Sequence, residues 1–327
     1  MTGAPTRAAL VRATLLVALS ACCFGSISPL TQVALENGAA LQAIQAWRYS
    51  TTAILLLLYA AVSAGARRDA VDAIDAREGT VAPWYSPRVL LLAGGGQASV
   101  ATLALLSLRW LPTATASFLF YTYPAFVAII AALRGIEHLD RTRITALMIA
   151  LGGIVVMVGA PDAATLHPIG VAVILAGALV YALYIPLLNS LQHGRGAIDI
   201  ARAISVGGAL LFLIWAIATG TLFAHFDGRT IAASMAQGVL SAGAFVGFLA
   251  GLSTLGAVRT AITSTVEPFW TTLLAFFLLG QPIRGGTLAG GALIMAAVLL
   301  LQRPAVASAR LHSSPAHEGD HSDHPTP

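Results

Sequence analysis

Residues 112–133 read PTATASFLFYTYPAFVAIIAAL, and residues 258–279 read VRTAITSTVEPFWTTLLAFFLL. Each is an apolar run long enough, at 1.5 Å of rise per residue, to cross a hydrocarbon core of ~30 Å as a helix. Each carries a proline near its middle, where a helix loses a hydrogen bond and bends. Sliding the chain by 144 residues lays Pro124 on Pro268 and Glu137 on Gln281. Sliding the N-terminal apolar run by 157 lays Phe24 on Tyr181 and Pro29 on Pro186. Two such offsets indicate an internal repeat, with the length difference absorbed mainly by the segment 64–88.

Outward from these stretches, similar runs recur along the chain. The first five are 12–35, 41–63, 89–108, 112–133 and 143–160, and the second five are 168–190, 198–220, 232–252, 258–279 and 285–302. The runs are too continuous for the alternating pattern of a barrel, and a lipid-exposed backbone must satisfy its own hydrogen bonds, so helices are expected. The fold class is therefore an all-α membrane protein, ten transmembrane helices in two five-helix repeats. Five is odd, so the second repeat is expected to be inverted relative to the first, an architecture used by transporters with a midplane site between the repeats. The expected organisation is an N-terminal segment 1–11, a first repeat 12–160 with a polar loop 64–88, a second repeat 161–302, and a disordered tail 303–327.

The composition agrees. Hydrophobic residues make up 57% of the 327 positions and charged ones 10%, against about 25% charged in an average soluble domain. Mean hydropathy is +0.81. That excludes a soluble enzyme. The pI near 9.4 rests on a net charge of only +4, without the clustered basic face that nucleic acid requires, so no nucleic-acid partner is expected. All 18 cations are arginine. With ten spans and the N-terminus inside, Arg7, Arg12, Arg67, Arg68, Arg77, Arg88, Arg134, Arg141, Arg143, Arg195, Arg202, Arg259, Arg303 and Arg310 fall on the inner side, against Arg109, Arg229 and Arg284 outside. The positive-inside rule then puts both termini in the cytoplasm of a cell with its chain in the inner (plasma) membrane. Cys22 and Cys23 are adjacent in an apolar run and read as small fillers. Leu19-Ser20-Ala21-Cys22 has the look of a lipoprotein cleavage box, but the apolar run continues to Leu35 and reads as a membrane span.

Few polar groups remain inside the spans. Glu267 stands at about the middle of the ninth, where a charge costs at least ~2.5 kcal/mol on insertion scales. A carboxylate is disfavoured in a low dielectric, which makes Glu267 a candidate proton carrier, protonated in one facing state and released in the other. The competing reading is a neutral Glu hydrogen-bonded at the kink of Pro268. Arg48, beside Trp47 and Tyr49 in the second span, is placed to pair with Glu267, to bind an anionic group of a substrate, or to snorkel to the interface. Gln32, Gln97, Tyr121, Tyr123, Tyr181, Tyr184, Asn189 and Trp270 are the other midplane polar or aromatic groups. Tyr123 and Trp270 flank the paired prolines. Pro29, Pro124, Pro186 and Pro268 are expected to kink their helices and shape the site. Gly243, Gly247 and Gly251 form a four-residue ladder that suits close helix packing, within the chain or across a homodimer. The glycine clusters lack the context of a phosphate loop. His312, His317, His321 and His324 with Glu318, Asp320 and Asp323 offer a weak metal site in the tail, but a solvated tail is the simpler reading.

The chain resembles the drug/metabolite transporter superfamily, and within it the EamA-like members with ten helices in two five-helix repeats. The resemblance is carried by Ala104-Leu105-Leu106-Ser107-Leu108-Arg109-Trp110 through Thr115-Ala116-Ser117 to Tyr123-Pro124. It is carried again by Thr260-Ala261 through Ser264 to Glu267-Pro268 and Leu278-Leu279-Gly280. It implies a secondary transporter of small organic metabolites, amino acids or their derivatives among them, with export favoured, and a structural or gating role for Arg48. Members often carry Gly-Glu after the ninth span, where this chain has Gly280-Gln281. A triose-phosphate type of antiporter fits less well, since only Arg48 offers an intramembrane cation. The competing class is a membrane-embedded enzyme or sensor, yet no span holds the Asp pair or the His with Asp/Glu that such an enzyme needs. The expectation is thus a non-enzymatic transporter without cofactor or metal, its partners a small-molecule substrate and membrane lipid.

Overall fold

The structure, a computed structural model, describes residues 6–64, 82–134, 141–159, 166–192, 194–264 and 266–301. The tail histidines, Glu137 and most of the loop 64–88 lie outside the described residues. The regular elements found among those described are all helical. They are α1 (Arg7–Gly25), α2 (Ile27–Glu36), α3 (Leu41–Ala64), α4 (Pro87–Leu106) with a 3₁₀ turn Ser107–Arg109, α5 (Thr113–Phe120), α6 (Tyr123–Leu133) and α7 (Arg141–Gly159). The second half holds α8 (Pro168–Gln192), α9 (Ala197–Ala218), α10 (Gly228–Ser264), α11 (Val266–Leu279) and α12 (Gly285–Leu301). Among the described residues, five helical stretches are long and apolar enough to cross a membrane by length and composition, and shorter apolar helices accompany them.

Proline accounts for much of this subdivision. A proline cannot donate to the carbonyl four residues back, and its ring clashes with it. Pro29 disrupts the helix at Gly25, so the first expected span is split into α1 and α2 at Ser26. Pro124 does the same at Phe120, splitting the fourth span at the turn Tyr121–Thr122. Pro186 differs, because α8 continues through it. One carbonyl left without its helical partner in a 25-residue helix is tolerated in a membrane protein without loss of helical form.

The sequence reading also places a connection at 253–257, between spans eight and nine. Instead α10 is assigned as helix from Gly228 to Ser264. It nevertheless doubles back. A Cβ on Gly251 would meet Val17 and Ala13 of α1, whereas Gly25, twelve residues further along α1, lies against Glu267. A straight continuation from Gly251 would carry Ser264 about 20 Å the other way along α1. The stretch from Leu252 to Ser264 contains Gly256, a poor helix former.

Packing joins the two halves helix by helix. α1 lies on α10, α3 on α9 and α10, α4 on α8 and α9, α5 on α11, and α7 on α12. Exchanging the halves maps this pattern onto itself: the first span on the eighth becomes the sixth on the third, and the pairs two–seven, four–nine and five–ten are unchanged. Glycines permit the closest approaches. A Cβ on Gly94 would sit 2.5 Å from the Gly207 backbone, and one on Gly208 2.8 Å from Tyr49, which stacks on Phe212. Ser20 Oγ donates to the Ala244 carbonyl at 2.7 Å across α1 and α10. Outward-facing leucines and valines such as Leu133 (83% exposed) and Val62 (82%) would be unfavourable in water and suit lipid.

Candidate functional site

The freed carbonyls find partners in the other half of the chain. Gly25, four residues before Pro29, accepts from Thr271 Oγ1 of α11 at 2.9 Å. Its missing side chain lets the backbones meet, since a Cβ would come 2.8 Å from the Glu267 carbonyl oxygen. Ser26, at the α1–α2 break, accepts from Trp270 Nε1 at 2.9 Å. Ser264, four residues before Pro268, has its carbonyl bonded by the Tyr121 hydroxyl at 2.6 Å. The same hydroxyl lies 3.0 Å from Glu267 Oε2. Two proline-bearing regions from opposite halves are thus clasped around Glu267.

Beside the clasp lies a cavity of about 170 Å3, an order of magnitude above the ~10–15 Å3 that one buried water needs. Glu267, Arg48, Gln97, Tyr121, Tyr123 and Tyr181 are among its polar lining, and Phe24, Phe120, Phe245 and Phe248 form much of its apolar wall. Tyr123 meets Tyr181 edge-on at 4.8 Å between centroids, and Tyr181 stacks on Phe120 at 5.3 Å. Such a lining, mostly apolar with a few convergent polar groups, is the form of a small-molecule site.

Of the residues singled out in the sequence, Glu267, Arg48, Gln97, Tyr121, Tyr123 and Tyr181 come together on this cavity. Three others do not line it. Trp270 serves the clasp. Tyr184 donates to the Ala93 carbonyl at 2.8 Å and covers Gly96, tying α8 to α4. Gln32 Nε2 reaches Glu36 Oε1 at 3.3 Å on α2. Arg48 neither pairs with Glu267 nor snorkels. It is 3% exposed, with Nε on Ser241 Oγ at 2.8 Å and Nη1 on Gln45 Oε1 at 3.0 Å. Pro29 and Pro268 are buried beside the clasp, Pro124 is the second residue of α6, and Pro186 is exposed. In the glycine ladder, Gly247 and Gly251 face α1, while a Cβ on Gly243 would meet nothing within 4 Å. The side chain of Asn189 lies outside the described residues.

Sequence reasoning passed over the clasp residues Gly25, Ser26, Ser264 and Thr271. The signal for Gly25 and Ser264 was available, since each stands four residues before a proline. Gln281 was noted only as a missing carboxylate. Its Oε1 accepts from the Thr113 backbone N–H at 3.0 Å and its Nε2 lies 3.3 Å from Thr113 Oγ1, so it caps α5.

A family model for EamA-like transporters matches residues 11–159 and again residues 168–303. The chain belongs to the EamA-like transporter family. The two matches of the EamA-like model meet between α7 and α8. A crystal structure of another protein superposes with a TM-score of 0.60 at 18% identity, over 93% of this chain and 99% of its own. At that identity the likeness shows the fold alone. No curated protein matches the chain. EamA-like membership makes this a multi-pass membrane protein of the drug/metabolite transporter superfamily, a transporter family.

Proposed function

We propose that the protein is a secondary transporter of the inner (plasma) membrane that exports a small organic metabolite, an amino acid or a derivative of one, by alternating access. Both termini face the cytoplasm, on the arginine asymmetry of the sequence. The observation that carries the reading is the placement of Glu267: a carboxyl beside a helix proline, on the wall of a cavity between the two halves, clasped to the opposite half through Tyr121 and Gly25. One half rocks against the other around this cavity, and a proton on Glu267 couples the movement to a gradient. In proteoliposomes loaded with a metabolite panel, the purified protein is expected to release at least one solute faster than protein-free vesicles, at a rate that depends on pH. Glu267→Gln is expected to flatten that dependence. Unchanged pH dependence in the variant overturns the proton role, and no release of any solute overturns the transport reading for that panel.

A further inference from the structure

One buried charge has no counter-charge. Arg48 is anchored only by neutral groups: Ser241, Gln45 and the ring of Tyr49, whose centroid is 4.8 Å from the guanidinium carbon. Among the described residues no carboxylate lies within ion-pair distance of it, and no hydrogen bond runs from its Nη2. Arginine remains charged in proteins, and an unpaired charge held away from water is strongly unfavourable. Glu267 faces the same cavity but is engaged by Tyr121. The guanidinium is therefore fixed in orientation, nine-tenths and more buried, and open to one further acceptor from the cavity side.

We infer that Arg48 is an anion-binding pole of this cavity, set apart from the carboxyl pole at Glu267. The ligand it takes is a small organic solute carrying one singly charged planar anion, a carboxylate foremost, because a guanidinium fork matches that geometry. With Glu267 and the tyrosines Tyr121, Tyr123 and Tyr181 at the other pole, the solute also carries a cationic nitrogen, attracted by carboxylate and ring faces alike. The phenylalanine-rich wall accepts an apolar group carried beside the two charges. A dianionic phosphate ester is excluded, since Arg48 is the single described cation on the wall. The inference rests on the proposal that this cavity is the cargo site.

The test is ligand binding by the full-length protein in detergent, read as a shift of the thermal unfolding midpoint across a concentration series. Three probes share one ring: benzoate, benzylammonium and phenylalanine. The wild type is expected to bind phenylalanine more tightly than either one-ended probe. Arg48→Gln is expected to weaken phenylalanine and benzoate by about tenfold or more while leaving benzylammonium unchanged. Arg48→Lys keeps charge and length, and serves if the glutamine variant does not fold: carboxylate probes weaken, benzylammonium does not. A uniform loss for all three probes, equal binding by variant and wild type, or no response of the wild type to a carboxylate probe overturns the inference. Transport is scored separately, so a protein that binds carboxylates through Arg48 yet moves no solute sinks the transport reading alone.

Discussion

Tyr121 and Glu267 meet at 3.0 Å across the two halves of the chain, through a hydroxyl that is also 2.6 Å from the Ser264 carbonyl. The hydroxyl has one proton and the carbonyl can only accept. With that proton on Ser264, the contact to Glu267 is a hydrogen bond only when the carboxyl is protonated and donates to the Tyr121 oxygen. An ionised Glu267 competes with Ser264 for the same proton. Loss of the proton from Glu267 therefore acts directly on the bond that replaces the one Pro268 removes.

Glu267→Gln and Tyr121→Phe separate the two parts of this device. Glutamine has a permanent N–H donor for the Tyr121 oxygen and does not titrate, so solute release is expected to lose its pH dependence. Phenylalanine leaves Glu267 titrating but orphans the Ser264 carbonyl. Release by Tyr121→Phe is expected to stay pH-dependent, while thermal unfolding in detergent registers a loss of about 1–3 kcal/mol. A pH-independent Tyr121→Phe variant counts against this division of labour.

Thr271 performs the matching task at the other break. Its Oγ1 lies 2.9 Å from the Gly25 carbonyl, which Pro29 leaves without an N–H partner. Thr271→Val keeps the shape and removes the donor, and is expected to destabilise by about 1–3 kcal/mol. Thr271→Ser keeps the donor and should lie close to wild type. Equal melting of the valine and serine variants would show that the hydroxyl contributes nothing.

Gln281 ties the end of α11 to the start of α5 by capping Thr113. Gln281→Ala is expected to cost about 1 kcal/mol, the usual worth of a helix cap. Gln281→Glu can accept from both the Thr113 N–H and its hydroxyl, and is expected to preserve stability. The capping role does not depend on the Gln281 amide nitrogen, and thermal melts of the two variants decide it.

The repeat was legible because Pro124 and Pro268 stand at one offset and apolar runs of membrane length are hard to mistake. Glu267 and Arg48 were legible because charge is scarce inside spans. The partners were not. That Thr271 reaches Gly25, or that Tyr121 serves both Ser264 and Glu267, depends on how sequence-distant half-helices pack, and periodicity holds no such information. Pro186 shows the limit in the other direction, since the same residue type at a repeat-equivalent position leaves α8 unbroken. The reversal after Gly251 falls where the sequence places the connection 253–257, which holds Gly256, although the helix assignment runs on to Ser264.

The glycines offer the sharpest contrast between sequence pattern and structure. Gly243, Gly247 and Gly251 look equivalent in spacing. A Cβ on Gly247 would stand 3.1 Å from the Leu16 carbonyl, and one on Gly25 2.8 Å from that of Glu267, both backbone atoms that cannot swing aside. On Gly243 it would meet nothing within 4 Å. Alanine at position 243 should be neutral or stabilise by up to ~1 kcal/mol, since glycine is a poor helix former. Gly25→Ala should force α1 away from α11, lowering the unfolding midpoint and slowing release together, because the same contact positions Glu267. If Gly25→Ala melts and transports like wild type, the close approach of α1 to Glu267 is not a requirement of the fold. If Gly243→Ala is the more damaging of the two, that glycine packs against something outside this chain, such as a second copy, which cross-linking from position 243 would reveal.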